Sequence, residues 1–109
     1  MKQKYNNKKT NGYDSKRESN RADVLKLLER AGEISSLQEQ VKYEIIPSYY
    51  KVVDGKRKCI SRATHYYADF QYVENGETVV EDCKGCRTEV YNIKKKLMLH
   101  VHGIEVKES

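Results

Sequence analysis

No apolar run in this 109-residue chain approaches the roughly 18–20 residues that a membrane-spanning helix needs, so no membrane partner is expected. The opening Met1-Lys2-Gln3-Lys4 leads into polar residues with no apolar stretch, and a secretory signal is not expected either. Cysteine is scarce. The three present, Cys59, Cys83 and Cys86, are an odd number, which argues against a disulfide framework and for a reducing compartment. The cytoplasm is the expected location. There is no internal repeat, and the single proline, Pro47, serves as a strand stop. What the chain does have is charge: 34% of residues are charged against 38% hydrophobic, the balance of one soluble domain with a modest core.

The charge is unevenly placed. Residues 1–17 carry six basic side chains against Asp14, and the remaining 92 residues carry 15 of each sign. A basic arm on a neutral body suits a phosphate backbone, with Lys8 and Lys9 as the candidate contacts. A solvated tail that aids solubility is the alternative. Residues 1–13, rich in Lys, Asn and Gly, are expected to be a flexible arm, and residues 14–109 a single domain.

Periodicity orders that domain. From Ser15 to Ala31 the pattern is helical, with Ala22, Leu25 and Leu28 on one stripe beside Val24, Leu27 and Ala31, and Gly32 as the stop. Val41, Tyr43 and Ile45 alternate with Lys42 and Glu44 as a strand that Pro47 ends. Residues 48–62 read as a long basic connection around Asp54-Gly55. A hairpin occupies about 63–84. Thr88 to His100 forms a second helix whose buried stripe is expected to be Val90, Ile93 and Leu97; Gly103 stops it and Ile104 to Val106 is a short last strand. The fold class is α/β (α+β), in the order helix-strand-strand-strand-helix-strand, with a mixed sheet flanked by helices.

The hairpin carries the chemistry. Asn75-Gly76 between two strand-like runs is the strongest short-range signal for a type I′ turn. With that turn Glu74 pairs with Glu77, and the ladder run outward sets Asp69 directly opposite Asp82, their Cβ atoms roughly 4.5–5.5 Å apart. Lys84 points the same way as Asp82. Opposed like charges are destabilising unless compensated, and a divalent cation is the natural compensator. On the other face Ala68, Phe70, Tyr72, Val79 and Cys83 read as core. Glu81 then falls on the apolar side opposite Phe70, and a one-residue slip would exchange it with Asp82, so Glu81 stays open as the second acid. Two carboxylates and an ammonium match phosphodiester hydrolysis, in which a divalent metal polarises phosphate and lowers the pKa of water while a cation stabilises the developing charge. Surface charges on a solvated sheet face are the bland alternative.

Four further features have two readings each. Ser15-Lys16-Arg17-Glu18 is a capping box, yet Glu18 also lies on the stripe facing the sheet that bears the acids. Gln40, at the start of the first strand, is an accessory polar contact or a plain strand residue. Cys83-Lys84-Gly85-Cys86 invites zinc, but Cys59, His65, His100 and His102 form no standard second pair; a zinc-binding interaction module is the weakest reading. Arg87, Lys94, Lys95 and Lys96 with Tyr91 make a basic face on the second helix. It is a solvated surface, or a phosphate contact involving Arg87, Tyr91, Lys94 and Lys96.

The element order with Asp…(Asp/Glu)-x-Lys on a hairpin is similar to the PD-(D/E)XK nuclease superfamily, whose core is that of the restriction endonucleases. The chain more closely resembles a small family of phage and prophage proteins catalogued as a domain of unknown function. The matching stretches are Asp14-Ser15-Lys16-Arg17-Glu18, Gln40 with Tyr43 and Pro47, Tyr67-Ala68-Asp69-Phe70, Val80-Glu81-Asp82-Cys83-Lys84-Gly85, and Thr88 to Lys94. Ala68 stands where the superfamily names proline, and Asp82 where glutamate is commoner. The resemblance implies that Asp69 and Asp82 bind Mg²⁺ (or Mn²⁺), with the Cys83 carbonyl as an extra ligand. It makes Lys84 the residue that positions the attacking water, Glu18 the helix acid and Gln40 an accessory contact. The expected function is a metal-dependent endonuclease acting on DNA in phage replication, recombination or processing, in the bacterial host cytoplasm. The alternative is a non-catalytic DNA-binding accessory protein on the same fold. Many small nucleases of this type pair as homodimers to cut both strands, and nothing in the sequence fixes an interface. DNA against RNA, and linear against branched substrate, stay open.

Overall fold

A computed structural model describes Gly12, residues 15–84 and residues 87–109. The basic arm with Lys8 and Lys9, and the Gly85-Cys86 half of the CxxC, lie outside the described residues. Helix α1 runs Lys16–Arg30, followed by strands β1 (Ser35–Ile46), β2 (Tyr49–Val53), β3 (Lys56–Ser61), β4 (Thr64–Glu74) and β5 (Glu77–Asp82), helix α2 (Glu89–His102) and strand β6 (Lys107–Glu108). The fold is mixed α+β. Its main sheet has the order β1-β4-β5-β6, and β2 and β3 form a separate two-stranded ribbon. Within the main sheet β5 and β6 are parallel, and the other neighbours antiparallel.

Both helix starts are capped as the sequence dictates. Ser15 Oγ accepts from the Glu18 N–H at 3.1 Å and Thr88 Oγ1 from the Tyr91 N–H at 3.1 Å, each satisfying a donor that the first helical turn leaves without a backbone partner. At the far end of α2, Gly103 adopts φ 68°, a left-handed conformation that glycine enters without steric cost. The Asn75-Gly76 turn has φ 52° and 77°, positive at both central residues as a type I′ turn requires. The β4–β5 ladder runs from Glu74↔Glu77 to Phe70↔Glu81, so the register is the one that the turn demands.

Strand β4 alternates strictly. Tyr66, Ala68, Phe70 and Tyr72 are buried, and they serve two cores. Phe70 and Tyr72 pack with Ala22, Leu25 of α1 and Ile34. Tyr66 and Ala68 pack with Ile45, Val80, Val106, and Tyr91 and Met98 of α2.

Three elements depart from the sequence expectation. Residues 48–62 are not a plain connection but the β2–β3 ribbon. Asp54-Gly55 has φ 52° and 75°, a second type I′ turn, and the β-branched and aromatic residues before it are strand formers. The buried stripe of α2 is Tyr91 and Met98 rather than Val90 and Ile93, which are 63% and 58% exposed. Apolar character alone cannot choose between two stripes on one helix; the Tyr91 hydroxyl reaching Glu108 and Met98 entering the same core cluster as Val106 decide it. The last strand lies at Lys107–Glu108 rather than at Ile104 to Val106, because Val106 is taken into the core and the Ile104 N–H is held by the Met98 carbonyl at 3.2 Å.

Candidate functional site

One step beyond Phe70↔Glu81, the same register sets Asp69 against Asp82 at the mouth of the β4–β5 hairpin. The strands supply the spacing, since side chains on alternate positions share a face. Asp82 is completely buried. Tyr66 donates its hydroxyl hydrogen bond to Asp82 Oδ2, and the Lys84 ammonium lies 3.4 Å from the same oxygen. The other oxygen, Oδ1, is buried with no hydrogen-bond partner among the described residues. Burial, and the Asp69 carboxyl beside it, push Asp82 up to about 7 against the opposing pull of Tyr66 and Lys84.

Asp69 is held from two sides. Its Oδ2 accepts from the Cys83 N–H at 2.9 Å, and its Oδ1 from Gln40 Nε2 at 3.3 Å. Gln40 adopts φ 53°, left-handed for a residue with a Cβ, and such strain persists only where the surroundings enforce it. Here the same Gln40 amide also donates to Glu18 Oε2 at 3.1 Å. Gln40 therefore ties the α1 acid to the hairpin acid. The Ser15 half of the capping box is made, while the Glu18 carboxylate turns toward Gln40.

Lys84 is placed by three neighbours. Its ammonium sits 4.7 Å from the centre of the Tyr91 ring, a favourable cation–π position. Its carbonyl accepts from Arg17 at 2.9 Å, which joins the start of α1 to the end of β5. Asp82 is the third.

Glu81 has a different office. Wholly buried on the apolar side, it receives Arg21 Nε at 2.5 Å and Arg21 Nη2 at 3.0 Å, with the Tyr72 hydroxyl at 2.7 Å. Burial alone pushes its carboxyl up, and the Arg21 and Tyr72 hydrogen bonds outweigh that and hold it below the usual range. Glu81 is a paired buried carboxylate that docks α1, and Asp82 is the acid on the Asp69 side.

Of the basic face on α2, Arg87 is ion-paired with Glu108 at 2.7 Å and Tyr91 is buried, donating to Glu108 at 2.8 Å. Lys94 is half-buried and Lys96 exposed. The structure thus brings Glu18, Gln40, Asp69, Asp82, Cys83 and Lys84 into one region and turns Arg87 and Tyr91 to β6.

A family model described as "Protein of unknown function (DUF1064)" matches residues 2–108. The chain belongs to this family. No curated protein and no solved structure matches it. In this DUF1064 member, Arg17, Arg21 and Tyr66 are partners that sequence reasoning missed. Arg21 was within reach: a buried Glu81 needs a cation, and Arg21 lies three residues beyond Glu18 on the helix that faces it. Tyr66 carried no comparable signal, since its core position is equally that of an ordinary aromatic residue.

The donor set fits a hard divalent cation. Mg²⁺ prefers carboxylate oxygen and keeps several waters, so two carboxylates are enough protein. Among the described residues no three His, Cys, Asp or Glu side chains form a ready-made cage. The orphaned, buried Asp82 Oδ1 is the atom that calls for a partner.

Proposed function

We propose that the protein is a Mg²⁺-dependent nuclease of the PD-(D/E)XK type that hydrolyses phosphodiester bonds of DNA. The observation that carries this reading is Asp82: buried, with one oxygen lacking a hydrogen-bond partner among the described residues, facing Asp69 across the hairpin and 3.4 Å from the Lys84 ammonium. Asp69 and Asp82 would hold the cation, with the carbonyl of Cys83, the residue after Asp82, beside them. When bound, it would supply Lewis acidity toward the phosphate and a lowered pKa for water.

The chain's own residues account for the rest. Lys84, fixed by Asp82, Tyr91 and the Arg17 contact to its backbone, would orient the attacking water and stabilise charge growing on the phosphate oxygens. Gln40 would keep Asp69 and Glu18 in place by donating to both. Tyr66, whose phenol is held protonated by burial and by Asp82, would fix the Asp82 rotamer so that Oδ1 stays directed away from the tyrosine.

The decisive experiment incubates purified protein with duplex, single-stranded and four-way-junction DNA in Mg²⁺, Mn²⁺ or EDTA. Cleavage that needs the metal and is abolished in folded Asp69→Asn protein is expected. Lys84→Ala should lower turnover by on the order of a hundredfold or more, as loss of one oxyanion donor does, while affinity for DNA in Ca²⁺ changes little. If no nucleic acid is cut and Lys84→Ala weakens binding strongly, Lys84 is a phosphate anchor and the protein a DNA-binding accessory factor.

A further inference from the structure

The β2–β3 ribbon has no role in the site described above, and its composition is at odds with the rest of the domain. Every residue from Tyr49 to Arg62 is exposed. The stretch holds five basic side chains (Lys51, Lys56, Arg57, Lys58, Arg62) against Asp54 alone. Residues 18–109 as a whole are neutral, so outside this stretch they carry a net charge of −4. The ribbon is a cationic projection from an acidic body.

Its register concentrates the charge. Lys51 pairs directly with Lys58, and Val53 with Lys56, so three lysines share one face, two of them opposed across the ladder. Like charges directly opposite are destabilising. Among the described residues none of these lysines forms an ion pair. On the other face the Arg57 guanidinium lies 3.8 Å from the centre of the Tyr50 ring, an arrangement that pre-orders an arginine while leaving its N–H edge to solvent. Folding keeps this unneutralised charge on a narrow ribbon closed at its base by the Ala63 N–H donating to Ser48 Oγ at 3.0 Å.

We propose that the β2–β3 ribbon is a duplex-DNA-binding arm, with Lys51, Lys56 and Lys58 on phosphates. The choice of DNA rests on the nuclease reading; the charge and exposure of the ribbon do not. Two strands side by side, roughly 5 Å apart, fit the major groove, which is about 12 Å wide and admits such a ribbon. Location also suits the task. The ribbon rejoins the sheet at the start of β4, and Asp69 is five residues further along that strand, roughly 16 Å. That is within one turn of a duplex, about 34 Å. A duplex lying over the acids would therefore pass the base of the ribbon, from which the lysines extend.

The test is the anisotropy of a labelled 20-base-pair duplex titrated with the full chain in EDTA across a salt series. Lys51→Gln/Lys56→Gln/Lys58→Gln should reduce the slope of log affinity against log salt by about 2 to 3, near 0.9 for each phosphate that is no longer neutralised. Lys51→Arg/Lys58→Arg should retain the slope. Because all three lysines are exposed and Lys51 opposes Lys58, the melting temperature should not fall below that of the parent, and far-ultraviolet circular dichroism checks the ribbon. An unchanged slope in the folded triple variant overturns the proposal. So does binding to phosphatidylserine vesicles, or to double-stranded RNA, that depends on the lysines while duplex DNA binding does not. The readout needs no cleavage, so a protein that cuts nothing yet shows the slope change loses the nuclease reading and keeps the arm.

Discussion

At the scale of single residues, two neighbouring acids on one strand have opposite environments. Glu81 has a cation and a phenol for its oxygens; Asp82 has an ammonium and a phenol on one oxygen and, among the described residues, no hydrogen-bond partner on the other. The consequence for Glu81 is structural. Removing one partner of a buried ion pair leaves an uncompensated charge, so Arg21→Ala should destabilise the protein by about 3 kcal/mol. Arg21→Met/Glu81→Leu should recover most of that stability, because no buried charge then remains. Urea unfolding of the two variants measures both. The consequence for Asp82 is functional: Asp82→Asn should abolish cleavage, whereas Glu81→Gln protein that is still folded should retain it. Equal loss in both variants would show that the side of the hairpin on which an acid lies does not matter. Glu81 was legible in the sequence as an awkward core acid, but its answer, Arg21, is 60 residues away and depends on how α1 lies on the sheet.

Among the elements, α2 shows how weakly a hydrophobic pattern constrains a helix with two apolar stripes. Val90, Ile93 and Val101 face solvent while Tyr91 and Met98 are buried. Met98→Ala should cost about 2–5 kcal/mol, and Ile93→Ala less than about 0.5 kcal/mol, in the same unfolding assay. The helix is also clasped to β6 by Glu108, which accepts from Arg87, Tyr91 and Lys95. Those partners hold its carboxyl down to about 2. A carboxyl lowered in the folded state contributes stability that is present above its unfolded pKa, ordinarily near 4.5, and lost as pH falls through the folded value. The difference in melting temperature between the parent and Glu108→Gln should therefore be full at pH 6 and shrink steadily between pH 4.5 and pH 2. A difference that does not vary with pH would show that the clasp is packing rather than charge.

For the whole molecule, the two cores meet on β4 and the candidate metal pair stands where β4 and β5 part. A ligand that binds only the folded chain stabilises it by mass action, about 2.7 kcal/mol at a hundred times its dissociation constant. Saturating Mg²⁺ or Mn²⁺ should accordingly raise the melting temperature of the parent and leave that of Asp69→Asn/Asp82→Asn unmoved. The double variant should itself melt higher than the metal-free parent, since two facing carboxylates are replaced by neutral amides. A metal-induced shift of equal size in both proteins would place the cation elsewhere.

By itself the sequence determined the local structure and, through it, the hairpin. Ser15 and Thr88 are helix caps by their chemistry, and Asn75-Gly76 sets a turn that puts Asp69 opposite Asp82 unless the ladder slips by one residue; the observed pairing of Phe70 with Glu81 removes that slip. Those are short-range consequences, settled within a few residues of backbone geometry. Asp54-Gly55 carried the same signal, and the ribbon around it could have been read from the tyrosines and valines that precede that turn. Tertiary structure decided what periodicity cannot: which stripe of α2 is buried, that Glu81 is answered by Arg21 and Asp82 by Tyr66, and that Gln40 spans Glu18 and Asp69. Each of these depends on side chains that are distant in the chain meeting at one point. The energy of such a meeting comes from burial and pairing, which no window of sequence contains.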